Sequence, residues 1–84
     1  MKWKEIRQQY PQSWLLLEAL EAHTTAKHRI VEQFAVLNRF QDSASAMDLY
    51  TEMHHSSPER ELYVLHTSKE ALNIQERKWL GLRR

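Results

Sequence analysis

Apolar positions fall along this chain in short blocks set between polar ones, and the blocks differ in period. Residues 2–9 suit one short amphipathic helix, which Tyr10-Pro11 ends because a residue before proline is pushed out of the α region. In the stretch DSASAMDLYTEMHH, Ala46, Leu49, Tyr50 and Met53 recur at i, i+3, i+4 and i+7, one helical stripe. Asp42, Ser43 or Ser45 can cap its start, and Ser56, Ser57 and Pro58 end it. Residues 61–66, Glu61-Leu62-Tyr63-Val64-Leu65-His66, form a β-prone block between polar flanks and predict a strand. In the tail SKEALNIQERKWLGLRR, the spacing of Ala71, Leu72, Gln75 and Trp79 predicts a partial helix that Gly81 stops.

Two blocks fit either period. SWLLLEALEAH is rich in helix formers; as a strand it sets Trp14, Leu16 and Leu20 on one face and Leu15, Leu17 and Ala19 on the other. RIVEQFAVLNRF aligns Ile30, Phe34 and Leu37 as a helix, or Phe34, Val36 and Phe40 as one strand face. A strand at 61–66 needs neighbours for its backbone groups, and these blocks are the only candidates. HTTAKHR between them then reads as a hairpin loop. The expected fold is α+β: a sheet of about three strands with one helix packed on it and short terminal helices, order α-β-β-α-β-α. The alternative is an all-α bundle.

The pattern Tyr10-Pro11-x-x-Trp14-Leu15-Leu16-Leu17-Glu18, then Asp42-Ser43, then PERELYVLHTS over 58–68, then Trp79-Leu80-Gly81 resembles a group of small uncharacterised bacterial proteins. The resemblance spans most of the chain. Val is frequent in the WLLLE region of that group, which implies a strand there. The resemblance carries no catalytic residue over.

Eighty-four residues specify one domain, 1–84. A chain this short buries only about 60–65% of its unfolded surface, so a lone monomer is marginal. The absence of cysteine removes disulfides and thiolate chemistry and fits a reducing cytoplasm. The apolar run at 14–17 is far shorter than the roughly 20 residues of a membrane span. MKWKEIRQQY has no apolar core of a secretory signal. With Gly81 as the only glycine, no glycine-rich phosphate loop can form.

Net charge is +1, but it is unevenly spread. Residues 1–10 carry +2, residues 11–68 carry −4 and residues 69–84 carry +3. The basic ends make Lys2, Lys4, Arg77, Lys78, Arg83 and Arg84 candidate anion-binding residues. Trp3 and Trp79 lie among them, an arrangement that can stack bases and hold phosphates. The same pattern arises where a terminal helix tucks an indole onto the core and leaves its cations in water.

His23, His28, His54, His55 and His66 show no metal-ligand spacing, so no metal or cofactor is expected. His66 and Ser68 share a strand face, yet no strained turn presents the serine as a nucleophile. Thr67 with Glu70 reads instead as a capping box for the tail helix. Glu18, Glu21, Glu32, Glu59 and Glu61 show no pairing by spacing, and most read as a solvated face.

Each expected strand is apolar on both sides, and one helix covers one face only. The other face needs the terminal helices or a second subunit. The reading is therefore a small soluble cytoplasmic protein without catalytic activity, acting as a protein-binding or self-assembly module, a homodimer or a tight hetero-complex. Trp3, Trp14, Tyr63 and Trp79 are its candidate interface anchors. No membrane or small-molecule partner is evident. Alternatives are a nucleic-acid-associated regulator using the basic Trp-containing termini, and an antitoxin-like or accessory partner of a larger protein.

Overall fold

The computed structural model describes residues 1–72 and the backbone of Ile74–Gln75. The protein is α+β, in the order α1 (Trp3–Gln9), β1 (Trp14–Thr25), β2 (His28–Phe40), α2 (Ser43–Ser56), β3 (Leu62–His66) and a two-residue β4 (Ile74–Gln75). The antiparallel sheet runs β3-β1-β2-β4. Both ambiguous blocks are strands, so helix propensity in SWLLLEALEAH yields to tertiary pairing. Leu15, Leu16 and Leu17 are all 0% exposed. Consecutive strand residues point to opposite faces, so this run is buried only if both faces are covered.

The two helices supply that cover. On one face, Ile6 of α1 joins Leu15, Leu17 and Phe34 in the core, with Trp3, Val36, Tyr63 and Leu65 packed around them. On the other, α2 lies on β3 and β1, with Ala46 buried and Leu49, Tyr50 and Met53 half-buried. The predicted stripe thus faces the sheet, though Leu49 is less enclosed than a core leucine. Asp42 is the cap: its Oδ1 accepts the Ser45 N–H at 2.7 Å. At α1, Glu5 Oε1 accepts the Lys2 N–H at 2.8 Å. The helix ends at Tyr10-Pro11, as the proline requires.

Three expectations change. The loop HTTAKHR is a two-residue turn, because β1 runs through Thr25 and β2 begins at His28. Ala26 (φ 49°) and Lys27 (φ 67°) both take the left-handed conformation that tight hairpins require. The sheet twist demands this turn even without glycine or asparagine to relieve it. Secondly, Phe34, Val36 and Phe40 do not share a face. A register shift opposite Leu16 and Leu17 leaves Val36 paired with Leu17 but Phe40 paired with Trp14. Thirdly, the tail helix does not begin where predicted: 67–72 is turn and irregular chain, and Ile74–Gln75 pair with Arg29 and His28 of β2. The remainder of that predicted helix lies outside the described residues.

Candidate interaction surface

The stretch His66-Thr67-Ser68 is a junction. Gln12 has φ 50° after Pro11, the pattern of a type II turn over residues 10–13. Such a turn is ordinarily closed by a bond from the fourth N–H to the first carbonyl. Here Thr67 stands between them. Its Oγ1 accepts the Ser13 N–H at 2.9 Å and donates to the Tyr10 carbonyl at 2.7 Å. The Thr67 N–H donates to the Ser13 carbonyl at 3.0 Å. Thr67 is 3% exposed and Ser13 2%, so these groups have no water to fall back on. Thr67 is therefore not the expected helix cap. The stitch fixes the end of β3 against the turn that launches β1. Arg7 Nε and Trp3 Nε1 add bonds to the Thr67 and Lys69 carbonyls, each at 2.9 Å.

His66 and Ser68 do meet. Ser68 Oγ lies 2.8 Å from His66 Nδ1, which also accepts the Ser68 N–H at 3.2 Å. The imidazole packs edge-on to Trp14, with centroids 5.0 Å apart. Among the described residues no carboxylate bonds the ring and no pair of backbone donors faces the hydroxyl. The contact closes a local turn on the surface.

At the other end of β3, two adjacent residues of opposite charge diverge to opposite faces. Arg60 donates to Glu18 through Nε (3.0 Å) and Nη2 (2.6 Å). Glu61 accepts from Arg29 Nε (2.9 Å) and Nη2 (2.8 Å), and also from the Tyr63 hydroxyl. These are forked guanidinium–carboxylate pairs, the strong form of the interaction. The Arg60 hydrogen bonds hold Glu18 below the usual carboxylate range, and those of Arg29 do the same for Glu61. Burial, then the bond to Glu61, pushes Tyr63 above the usual tyrosine value.

Arg29 reaches Glu61 from far along the hairpin arm. Ala19 is the β1 residue that bonds the Glu61 carbonyl, whereas Arg29 pairs with Thr24, farther along the hairpin. The arm must curl toward the α1 face for the two to meet. Register shifts at residues 16–17 and 19–22 provide the bend. Glu18 and Glu61 are thus not part of a solvated face; long-range pairing, invisible to spacing, recruits them. Glu32 meets His23 at 3.5 Å, and Glu21 and Glu59 are exposed.

The candidate anchors do not form one patch. Trp3 and Tyr63 both flank Phe34 on the α1 face, at centroid distances of 6.1 and 6.4 Å. Trp14 belongs to the α2 face, since it precedes Leu15 by one strand position. Lys2 and Lys4 are exposed beside a Trp3 ring committed to Phe34. Trp79, Arg77, Lys78, Arg83 and Arg84 lie outside the described residues. Among the described residues no three metal-ligating side chains converge, and no helix is long and apolar enough to cross a membrane.

One surface was not singled out from sequence: the outer edge of β3. Backbone bonds link Thr67 to Ser13 and Glu61 to Ala19. In an antiparallel ladder of constant register, alternate residues face the partner strand. Residues 61, 63, 65 and 67 therefore bond to β1, and Leu62, Val64 and His66 turn their N–H and C=O groups outward. Tyr63, Val64, Leu65 and His66 are each half-buried, while Leu15, Leu16 and Leu17 opposite are fully buried. The β2 edge differs: Phe34 exchanges two bonds with Met1, at 2.7 and 2.8 Å, and β4 covers His28 and Arg29. Comparison with protein-family models, with curated proteins and with solved structures finds no match to this chain.

Proposed function

We propose that this protein is a non-catalytic interaction module that binds another protein chain by adding a strand to its sheet. The carrying observation is the outer edge of β3, with apolar side chains half-open beside outward-facing backbone groups at Leu62, Val64 and His66. A strand edge offers main-chain hydrogen bonds for affinity and alternate side chains for specificity. Natural sheets usually guard such edges with charge, proline or a bulge. Within Leu62–His66 there is no lysine, arginine, proline or register shift. The residues that a catalytic reading would use, His66 and Ser68, are engaged with each other in an exposed turn.

The reading sets the protein in the cytoplasm, supported by the absence of cysteine from the chain. It is tested on purified full-length protein by sedimentation at low micromolar concentration, together with affinity capture from native cells. Stable self-association, or a stoichiometric partner lost when β3 is altered, supports the reading. A folded monomer that captures neither a copy of itself nor another chain overturns it.

A further inference from the structure

We propose that the strand added to β3 is β3 of a second copy, antiparallel, about a two-fold axis passing at Val64. The inference rests on the interaction-module reading above and supplies its partner and register.

The edge is self-complementary. In a pairing centred on Val64, Val64 faces its own copy, and Leu62 faces His66 of the other chain. These are the residues whose N–H and C=O groups turn away from β1. Every outward group then meets an outward group, giving about six intermolecular bonds. The His66 carbonyl already accepts a long 3.3 Å bond from the Lys69 N–H, and its second lone pair remains for the partner. Moving the centre by half a residue sets outward groups against inward ones. Moving it by a whole residue leaves Leu62 or His66 without a counterpart within the strand.

Charge favours the same antiparallel orientation. Glu59 and Lys69 flank β3 at equal sequence distance from Val64, and both are exposed. The antiparallel copy brings Glu59 of one chain to the end that carries Lys69 of the other, at both ends of the pair. A parallel pairing would set like against like. The apolar side chains match as well. The same register places Tyr63 against Leu65 of the second copy on the α1 face and Val64 against Val64 on the α2 face. The half-open side chains of each edge thereby cover one another.

The experiment uses the full chain and two substitutions. The Val64 N–H points away from β1, so Val64→Pro removes intermolecular donors while leaving the β1–β3 ladder intact; proline is tolerated on such an edge. Wild-type protein is expected to sediment as a dimer at low micromolar concentration. Val64→Pro should sediment as a folded monomer, with dimer affinity weakened at least about tenfold and the far-UV spectrum retained. In Val64→Cys the introduced thiol is the only one in the chain. Directly opposed residues in a bonded pair have Cα atoms about 5.5 Å apart, within disulfide reach. Mild oxidation should therefore link the dimer covalently, much faster than for Ile30→Cys on the exposed hairpin. This second variant decides the matter if Val64→Pro fails to fold. A wild-type monomer overturns the inference. So does a dimer in which Val64→Cys links no faster than Ile30→Cys. In that last case self-association still stands, so the interaction-module reading survives the loss of this register. A monomer that captures no other chain removes both.

Discussion

At the scale of single residues, the structure concentrates cost in one place and cohesion in another. Ala26 and Lys27 both sit at positive φ in the hairpin turn, where a Cβ is crowded by the following carbonyl at roughly 1–2 kcal/mol per residue. Asn-Gly relieves that crowding. Replacing Ala26-Lys27 by Asn-Gly should raise stability by about 1–2 kcal/mol, seen as a higher urea midpoint at unchanged slope. An unchanged or lower midpoint would contradict the turn geometry. Thr67 is the opposite case. Thr67→Val keeps the shape but takes away the partner of the buried Ser13 N–H and of the half-buried Tyr10 carbonyl. The expected loss is about 1–3 kcal/mol, and Thr67→Ser should retain most of the stability. A smaller loss for Val than for Ser would show that the methyl, not the hydroxyl, matters. Neither feature was legible in the sequence. The hairpin loop was predicted, but its length depends on how far pairing extends. The hydroxyl of Thr67 finds its partners more than fifty residues away.

At the scale of elements, α1 and α2 divide the sheet between them, and their contributions differ in kind. Leu16 is fully enclosed between β1 and the α2 layer, whereas Leu49 on α2 is half-buried. Truncating a buried leucine costs about 2–5 kcal/mol, through lost transfer energy and the cavity left behind. Leu16→Ala should fall in that range, and Leu49→Ala well below it, about 1 kcal/mol, because water already reaches the site. Comparable losses in thermal melts would mean that α2 is buried more deeply than described. The Ala46, Leu49, Tyr50, Met53 stripe was readable from its period alone; the cap was readable only as Asp42, Ser43 or Ser45, and the Ser45 N–H bond selects Asp42. The facing of Phe40 was not: an alternation rule cannot anticipate the register shift that turns it toward the Trp14 side.

For the whole molecule, three carboxylates tie distant parts of the chain together or cap a helix, and they set its response to acid. Glu18, Glu61 and Asp42 are all held below their ordinary values by the hydrogen bonds they accept. The unfolded chain takes up protons first as pH falls below the ordinary glutamate value of 4.5. The stabilisation is thus complete above that pH and is lost as pH falls toward the depressed folded values. Urea midpoints should be flat from pH 7 to about 5 and drop below it, with Glu61→Gln giving a lower midpoint at pH 7 and a shallower fall. A profile identical to wild type would show that the Arg29–Glu61 pair contributes nothing to holding the curled arm. Tyr63 acts at the other end: its raised value keeps it protonated in the folded state, so stability should decline as pH rises above 10.

What the sequence determined by itself was local. A strand at 61–66, a capped helix after Asp42, a first helix ended by Pro11 and the two-sided apolar character of 14–17 all follow from period, capping and proline sterics. Tertiary structure decided everything that depends on which segments meet. It made strands of two blocks whose periods fit helix as well as strand, the first of them rich in Leu, Ala and Glu, because β3 cannot satisfy its backbone alone. It set α1 over the second apolar face and drew Glu18 and Glu61 into forked pairs with Arg60 and Arg29. It left the outward groups of Leu62, Val64 and His66 at the rim of the sheet. Periodicity registers a residue's neighbours along the chain; hydrogen-bond partners across a sheet are fixed only when register, bulges and twist are in place.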